Sequence, residues 1–419
     1  MAAETGCDYI SLGPVYATDT KPDHNPPLGT RGTRALLEYT YRLPGPSGSW
    51  GRDVPVVAIG GIHLDNLYNV MHQTVSPASP ARKHLAGVAV VSSIMGAKDA
   101  CDRSQQLRKL VDEVPPFAER QNGQFIPGTD FNENLASVLS KVVKSCPMVH
   151  HITNNVVKNF SANVTLAIGA SPIMSEEILE VGDLTICGGA LLLNMGTVSQ
   201  GAQPLFLAAL GAANARGNPV VFDPVGAGAT QTRLHFAHMI VACGFCDVIK
   251  GNESEIRAIY GDTSAKQHGV DSVHSKTTDQ LERARIAKSL ALRERNIIVM
   301  TGVVDIVTDG VSIFRLSDGS HYQGHVTGTG CSLGSVIAAC LAVNKERKLT
   351  AVVAAVCAYN AAARIAAEKK DTKGPGSWQV NFMDVLYELQ QTAMPPSGRE
   401  KWEKVWWEKL FERAEKITV

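Results

Sequence analysis

Between residues 190 and 310 the chain repeats one pattern. An apolar run (ALLLNMG, PVVFDPVG, DVIKGN, NIIVMTG or DIVTDG) breaks at a polar residue or glycine, and helical stretches such as LERARIAKSLALRER fill the intervals. Runs of this kind suit strands buried on both faces, and strand–helix alternation builds a mostly parallel sheet between helix layers. The fold class is therefore α/β. Ligands of such sheets gather beyond the carboxyl ends of the strands. The residues least at home in a core stand there: Asp223 after VVF, Asn252 and Glu255 after DVIKG, Thr301 and Gly302 after IIVM.

Composition shifts near residue 100. Ahead of it lie three further strand-like runs, DYISLGPV, VPVVAIGGI and GVAVVSSI, separated by the loop-like stretches RLPGPSGSWGRD and TVSPASPARKH. The charged helical segment DRSQQLRKLVDEV then leads into PPFAERQNGQFIPG, read as a linker. The expected division is 1–113, a linker over 114–130, a larger domain over 131–395, and a helical extension over 396–419. In that extension Trp402, Trp406, Trp407 and Leu410 recur at helical spacing, suited either to packing on the domain surface or to binding a partner.

Forty basic and forty acidic residues cancel, so no electrostatic argument favours nucleic acid or an anionic membrane as partner. No apolar run approaches the roughly 18 residues of a membrane span, and no signal peptide is legible. A cytosolic chain acting on small molecules is expected. The nine cysteines form no paired framework; Cys243 and Cys246 in CGFC lack a second ligand pair for zinc and read as a helix end before a strand.

Four stretches carry candidate chemistry. In HVTGTGC, Gly328 and Gly330 let the backbone approach a ligand, and the helix behind them aims free N–H groups at an anion, phosphate above all. Cys331 at that N-terminus is either a thiol of depressed pKa, able to act as a base, or a small buried hydrophobe. In NESE, Glu255 either holds Mg²⁺ through water or answers the helix dipole. Asp223, an acid at a strand end before a Gly-rich turn, is harder to read as a solvated face. Lys250 and Thr301 either reach nucleotide phosphates or lie on the surface. In HITNNVVKNFSANVTLAIGASPIM, Asn155, Asn159 and Asn163 form a polar helical stripe, either put to a use or exposed to solvent, and Met174 is a core filler or a soft wall for an aromatic ligand.

In order and spacing, ITNNVVKNFSANVTLAIGASPIM, GALLLNMGT, PVVFDPVGAGAT, IKGNESEI, GVDS, TGVVDIVTDG, VTGTGC and KGPGSWQV resemble the hydroxyethylthiazole kinases, ribokinase-like enzymes of thiamine biosynthesis, over roughly residues 130–390. The resemblance implies ATP and Mg²⁺ as cofactors, phosphorylation of the alcohol of 4-methyl-5-(2-hydroxyethyl)thiazole, and a trimer-based homo-oligomer with sites between subunits. It implies that Met174 and Gly328 touch the thiazole with Asn154 nearby, and that Lys250, Thr301 and Gly330 meet ATP. Asp223 and Glu255 would serve Mg²⁺, and Cys331 would stand where related sugar kinases carry an acidic base.

The N-terminal motifs GCDYISLGPVYATDTKPDHNPPLG, VPVVAIGGI and GVAVVSSI resemble the end of thiamine-phosphate synthase, a (β/α)₈ barrel that fungal thiamine enzymes fuse ahead of the kinase. By that match Thr18 and Thr20 bind thiazole phosphate, Lys21 the pyrimidine diphosphate, and Gly61, Val91 and Ser92 the phosphate group. The motifs correspond to the last three strands of an incomplete barrel, so the expectation is weak retention of thiazole phosphate without condensation. Other readings are a bifunctional enzyme whose missing strands come from a partner chain, a non-catalytic thiazole or thiamine sensor, and a sugar kinase, which would favour aspartate at position 331.

Overall fold

The structure, a computed structural model, describes residues 7–21, 23, 25–43, 50–76, 82–118, 131–197, 199–261, 280–393 and 412–419. GVDS, Trp402, Trp406, Trp407 and Leu410 lie outside the described residues. The chain forms two compact units, Met1–Ala118 with Met239–Phe245, and Glu119–His238 with Cys246–Val419.

In the first unit, β1 (Ile10–Leu12), β2 (Val56–Ile59) and β3 (Gly87–Ala89) pair in parallel in that order. Helices α1 (Gly29–Tyr41), α2 (Leu67–Gln73) and α3 (Ala100–Asp112) accompany them. Leu37, Val56, Ala58, Leu67, Val70 and Leu107 belong to its core.

The second unit begins with α4 (Phe131–Ser145), β4 (Met148–Ile152), α5 (Lys158–Ala167), β5 (Ser171–Ile173), β6 (Ala190–Asn194), α6 (Gln203–Arg216) and β7 (Val220–Asp223). Next come α7 (Gln231–Cys243, of which the residues from Met239 on belong to the first unit), β8 (Val248–Asn252), α8 (Glu253–Tyr260), α9 (Gln280–Glu294), β9 (Ile297–Thr301), β10 (Asp305–Thr308) and β11 (Ile313–Leu316). Helices α10 (Thr329–Ala342), α11 (Lys348–Glu368) and α12 (Pro375–Thr392) precede β12 (Ala414–Ile417). The sheet runs β12-β11-β10-β9-β8-β7-β6-β4-β5, parallel from β5 to β9 and antiparallel beyond.

Side chains of a strand alternate between faces, and the core shows which face is which. Val149, Leu192, Val221, Val248 and Val299 share one apolar cluster with α4, α5, α10, α11 and α12. Two residues further along, the same face carries His151, Asn194, Asp223, Lys250 and Thr301. One row of apolar anchors thus sets a row of polar groups at the carboxyl ends, on the side of α10.

Four expectations are corrected. Ala414–Ile417 is a strand paired antiparallel with Ile313–Leu316, so the extension over 396–419 is not helical at its end. Backbone pairing with the edge of β11 sets these residues as a strand, although none of the four is buried. Asn155 falls in the turn ahead of α5, while Asn159 and Asn163 are exposed and bond each other at 3.1 Å; the stripe faces outward. Helix α11 is long and apolar enough to span a membrane by composition, but 83% of its apolar window is buried in this unit. The fourth correction concerns the Cys331 thiol and belongs to the site.

Candidate active site

Within the polar row, Asn194, Asp223 and Lys250 close into a hydrogen-bonded chain. Asn194 Nδ2 donates to Asp223 Oδ2 at 2.9 Å, and its Oδ1 accepts from Asn154 Nδ2 at 2.9 Å and from the Gly196 N–H at 3.0 Å. Asn154 Nδ2 also approaches Cys331 Sγ at 3.6 Å. Lys250 Nζ donates to Asp223 Oδ2 at 2.9 Å and to the Gly330 carbonyl at 2.8 Å, which ties the sheet to the first turn of α10. Asn154, Asp223, Lys250, Gly330 and Cys331 therefore meet in one place. Gly328 caps α10 at φ +97°, and a Cβ there would lie 3.0 Å from Val157 Cγ1 and 3.2 Å from Phe160 Cδ1, so glycine is required.

Burial opposes the charge on Lys250, but Asp223, Cys331 and Glu255 outweigh it and hold its pKa above the usual value; it stays a cation. Burial raises Asp223 against the pull of that cation. Both Asp223 hydrogen bonds fall on Oδ2; Oδ1 is buried with no hydrogen-bond partner among the described residues. The thiol departs from the expectation of a depressed pKa. Burial first, then the Asp223 carboxylate, push Cys331 up to about 11, more than Lys250 and the two asparagines lower it.

Glu255 forms a capping box with Asn252 at the start of α8. Its Oε1 accepts the Gly226 N–H and its Oε2 the Asn252 N–H, both at 2.8 Å. Burial, then Asp223, push its carboxyl up to about 7. Thr301 ends β9 beside Asn252 as the far member of the row, and Met174 directly follows β5, outside it.

Sequence reasoning missed Asn194, although ALLLN ends in a polar residue at the same parity as VVFD, and that was the available signal. Arg233 left none: its guanidinium bonds the carbonyls of Met195, Gly196 and Val225 and so straps together the turns after β6 and β7. Around Thr301, Arg283 donates to the Val304 carbonyl at 2.9 Å, and Asp305 accepts from the Gly302 N–H at 2.8 Å and from Asn360 Nδ2 at 2.7 Å. Among the described residues no group of three His, Cys, Asp or Glu is arranged as a metal cluster; CGFC ends α7 ahead of β8. In the first unit a separate cavity of about 300 Å³ is lined by Thr18, Thr20, Lys21, Gly61, Val91 and Ser92, among others.

Residues 139–392 match the model of the hydroxyethylthiazole kinase family. The chain belongs to the hydroxyethylthiazole kinase family. Residues 1–94 match the thiamine monophosphate synthase model. The thiamine biosynthetic bifunctional enzyme of Saccharomyces cerevisiae is 38% identical over 421 residues, which cover 94% of this chain and 74% of that protein. A hydroxyethylthiazole kinase of Moorella thermoacetica is 42% identical over 260 residues, covering 62% of this chain and 94% of its own. The solved hydroxyethylthiazole kinase from Pyrococcus horikoshii superposes with a TM-score of 0.57 at 30% identity, over 68% of this chain and all of that one. The kinase unit is thus an α/β transferase of that family, joined in one chain to a synthase-family segment.

Proposed function

We propose that the kinase unit transfers the γ-phosphoryl group of ATP to the alcohol of 4-methyl-5-(2-hydroxyethyl)thiazole. The observation that carries this reading is the Asn154–Asn194–Asp223–Lys250 chain abutting the Gly-Thr-Gly turn and Cys331. Phosphoryl transfer needs positioning and charge stabilisation more than covalent help. The first-turn N–H groups of α10 offer that stabilisation at the travelling group. Gly328 and Met174 border the thiazole, and Thr301 and Lys250 serve the nucleotide.

The residues present fit Mg²⁺, because Asp223 Oδ1 is a buried anionic oxygen without a partner among the described residues and Glu255 adds a second carboxylate through water. Bound there, the ion neutralises phosphate charge. With a pKa of about 11, Cys331 is a neutral thiol at pH 7. Its role is therefore to hold the substrate hydroxyl, and Asn154 holds the sulfur in turn. ATP consumption with hydroxyethylthiazole, against ribose and hydroxymethylpyrimidine as controls, tests the assignment; equal turnover with ribose overturns it. The family resemblance also supports a trimer, to be checked as a solution mass of three 44.8 kDa chains.

A second reading concerns the first unit. Its cavity gathers all six residues that resemblance assigns to thiazole phosphate, pyrimidine diphosphate and phosphate. The turns after its three parallel strands supply a phosphate grip. The first unit binds thiazole phosphate there. Titration calorimetry of the purified chain with thiazole phosphate tests this, and absence of binding would refute it.

A further inference from the structure

Strand β4 carries two adjacent histidines that the kinase reading leaves unused. Their side chains point to opposite faces. His151 faces α10: its Nε2 meets Ser335 Oγ at 3.0 Å, one turn beyond Cys331, and its Nδ1 meets the Val149 carbonyl at 2.9 Å. His150 serves the other edge. The β4–β5 ladder pairs Met148 with Ser171, Val149 with Pro172 and His150 with Ile173, where β5 ends. His150 Nε2 then donates to the Ser175 carbonyl at 3.0 Å. Met174 lies between the last ladder pair and this side-chain bond. Beyond it, Ser175 Oγ donates to Glu180 Oε2 at 2.6 Å and Lys158 pairs with Glu176 at 2.9 Å, so the following loop is also held.

We infer that His150 is a positioning residue for thiazole recognition: its imidazole extends the β4–β5 ladder across Met174 and fixes that side chain at the pocket wall. The inference rests on the reading of Met174 as a thiazole contact. A thioether wall gains from ring contact only at a set distance, so a loop free to drift weakens substrate binding and leaves nucleotide binding alone.

The test is steady-state kinetics on the full chain. His150→Phe keeps the ring volume and removes the donor; thiazole KM rises about tenfold, with ATP KM and kcat unchanged. His150→Gln places an amide N–H near the lost Nε2 position and restores most of the affinity. Where the Phe variant does not fold, His150→Asn, which is too short to reach Ser175, takes its place with the same expected rise. In a Met174→Ala background His150→Phe raises KM no further, because both act through one contact. An unchanged thiazole KM in the Phe or Asn variant, a parallel loss in kcat and both KM values, or failure of Gln to rescue overturns the inference. An unchanged thiazole KM in Met174→Ala alone overturns the substrate-wall reading beneath it.

Discussion

At Cys331 two opposing influences meet on one thiol. Position at a helix N-terminus lowers a thiol, yet here burial and an adjacent carboxylate raise it to about 11. The thiol is protonated throughout pH 6–9, so kcat shows no rise through that range attributable to a thiolate; a steep rise toward pH 11 would instead mark it as the base. Cys331→Ala slows turnover about tenfold to a hundredfold while ATP KM stays put, since a held hydroxyl is lost and the nucleotide groove is untouched. Lys250 makes a complementary case. Lys250→Met leaves Asp223 buried without its cation and costs about 3–5 kcal/mol of stability. Urea unfolding measures this, and the double variant Lys250→Met/Asp223→Leu recovers much of it, at the expense of all activity.

At the level of elements, α10 depends on one backbone angle. With φ at +97° and two side chains within 3.2 Å of any added Cβ, Gly328→Ala costs about 1–3 kcal/mol and shifts the turn out of line. The expected readout is a lowered unfolding midpoint together with reduced kcat. Strands β6 to β10 are legible because each carries an apolar run that stops at a polar residue. Strands β4 and β5 were hidden: VHHI carries two histidines and SPI a proline, and both take their place from neighbours rather than from propensity. Asp223, Lys250, Gly330 and Cys331 were legible as separate anomalies. Lys250 joins Asp223 to Gly330, and Asn194 links Asp223 through Asn154 to Cys331; the parity that Asn194 shares with Asp223 gains meaning only when strand pairing sets the two side by side.

For the whole molecule, β12 matters because it covers the edge of β11, with Arg315 bonded to Glu415 and Lys288 to the Val419 carbonyl. Deleting residues 412–419 uncovers that edge, and the shortened chain associates in a concentration-dependent way and melts earlier, as light scattering and thermal denaturation would show. A wider consequence follows from the shared parity of Asn194, Asp223, Lys250 and Thr301. Strands tolerate exchange of one aliphatic residue for another, but gaining or losing a single position inside any of them turns its polar end group into the opposite helix layer. Across descendants of this chain, strand length should therefore vary far less than strand composition, and viable insertions should be confined to the loops.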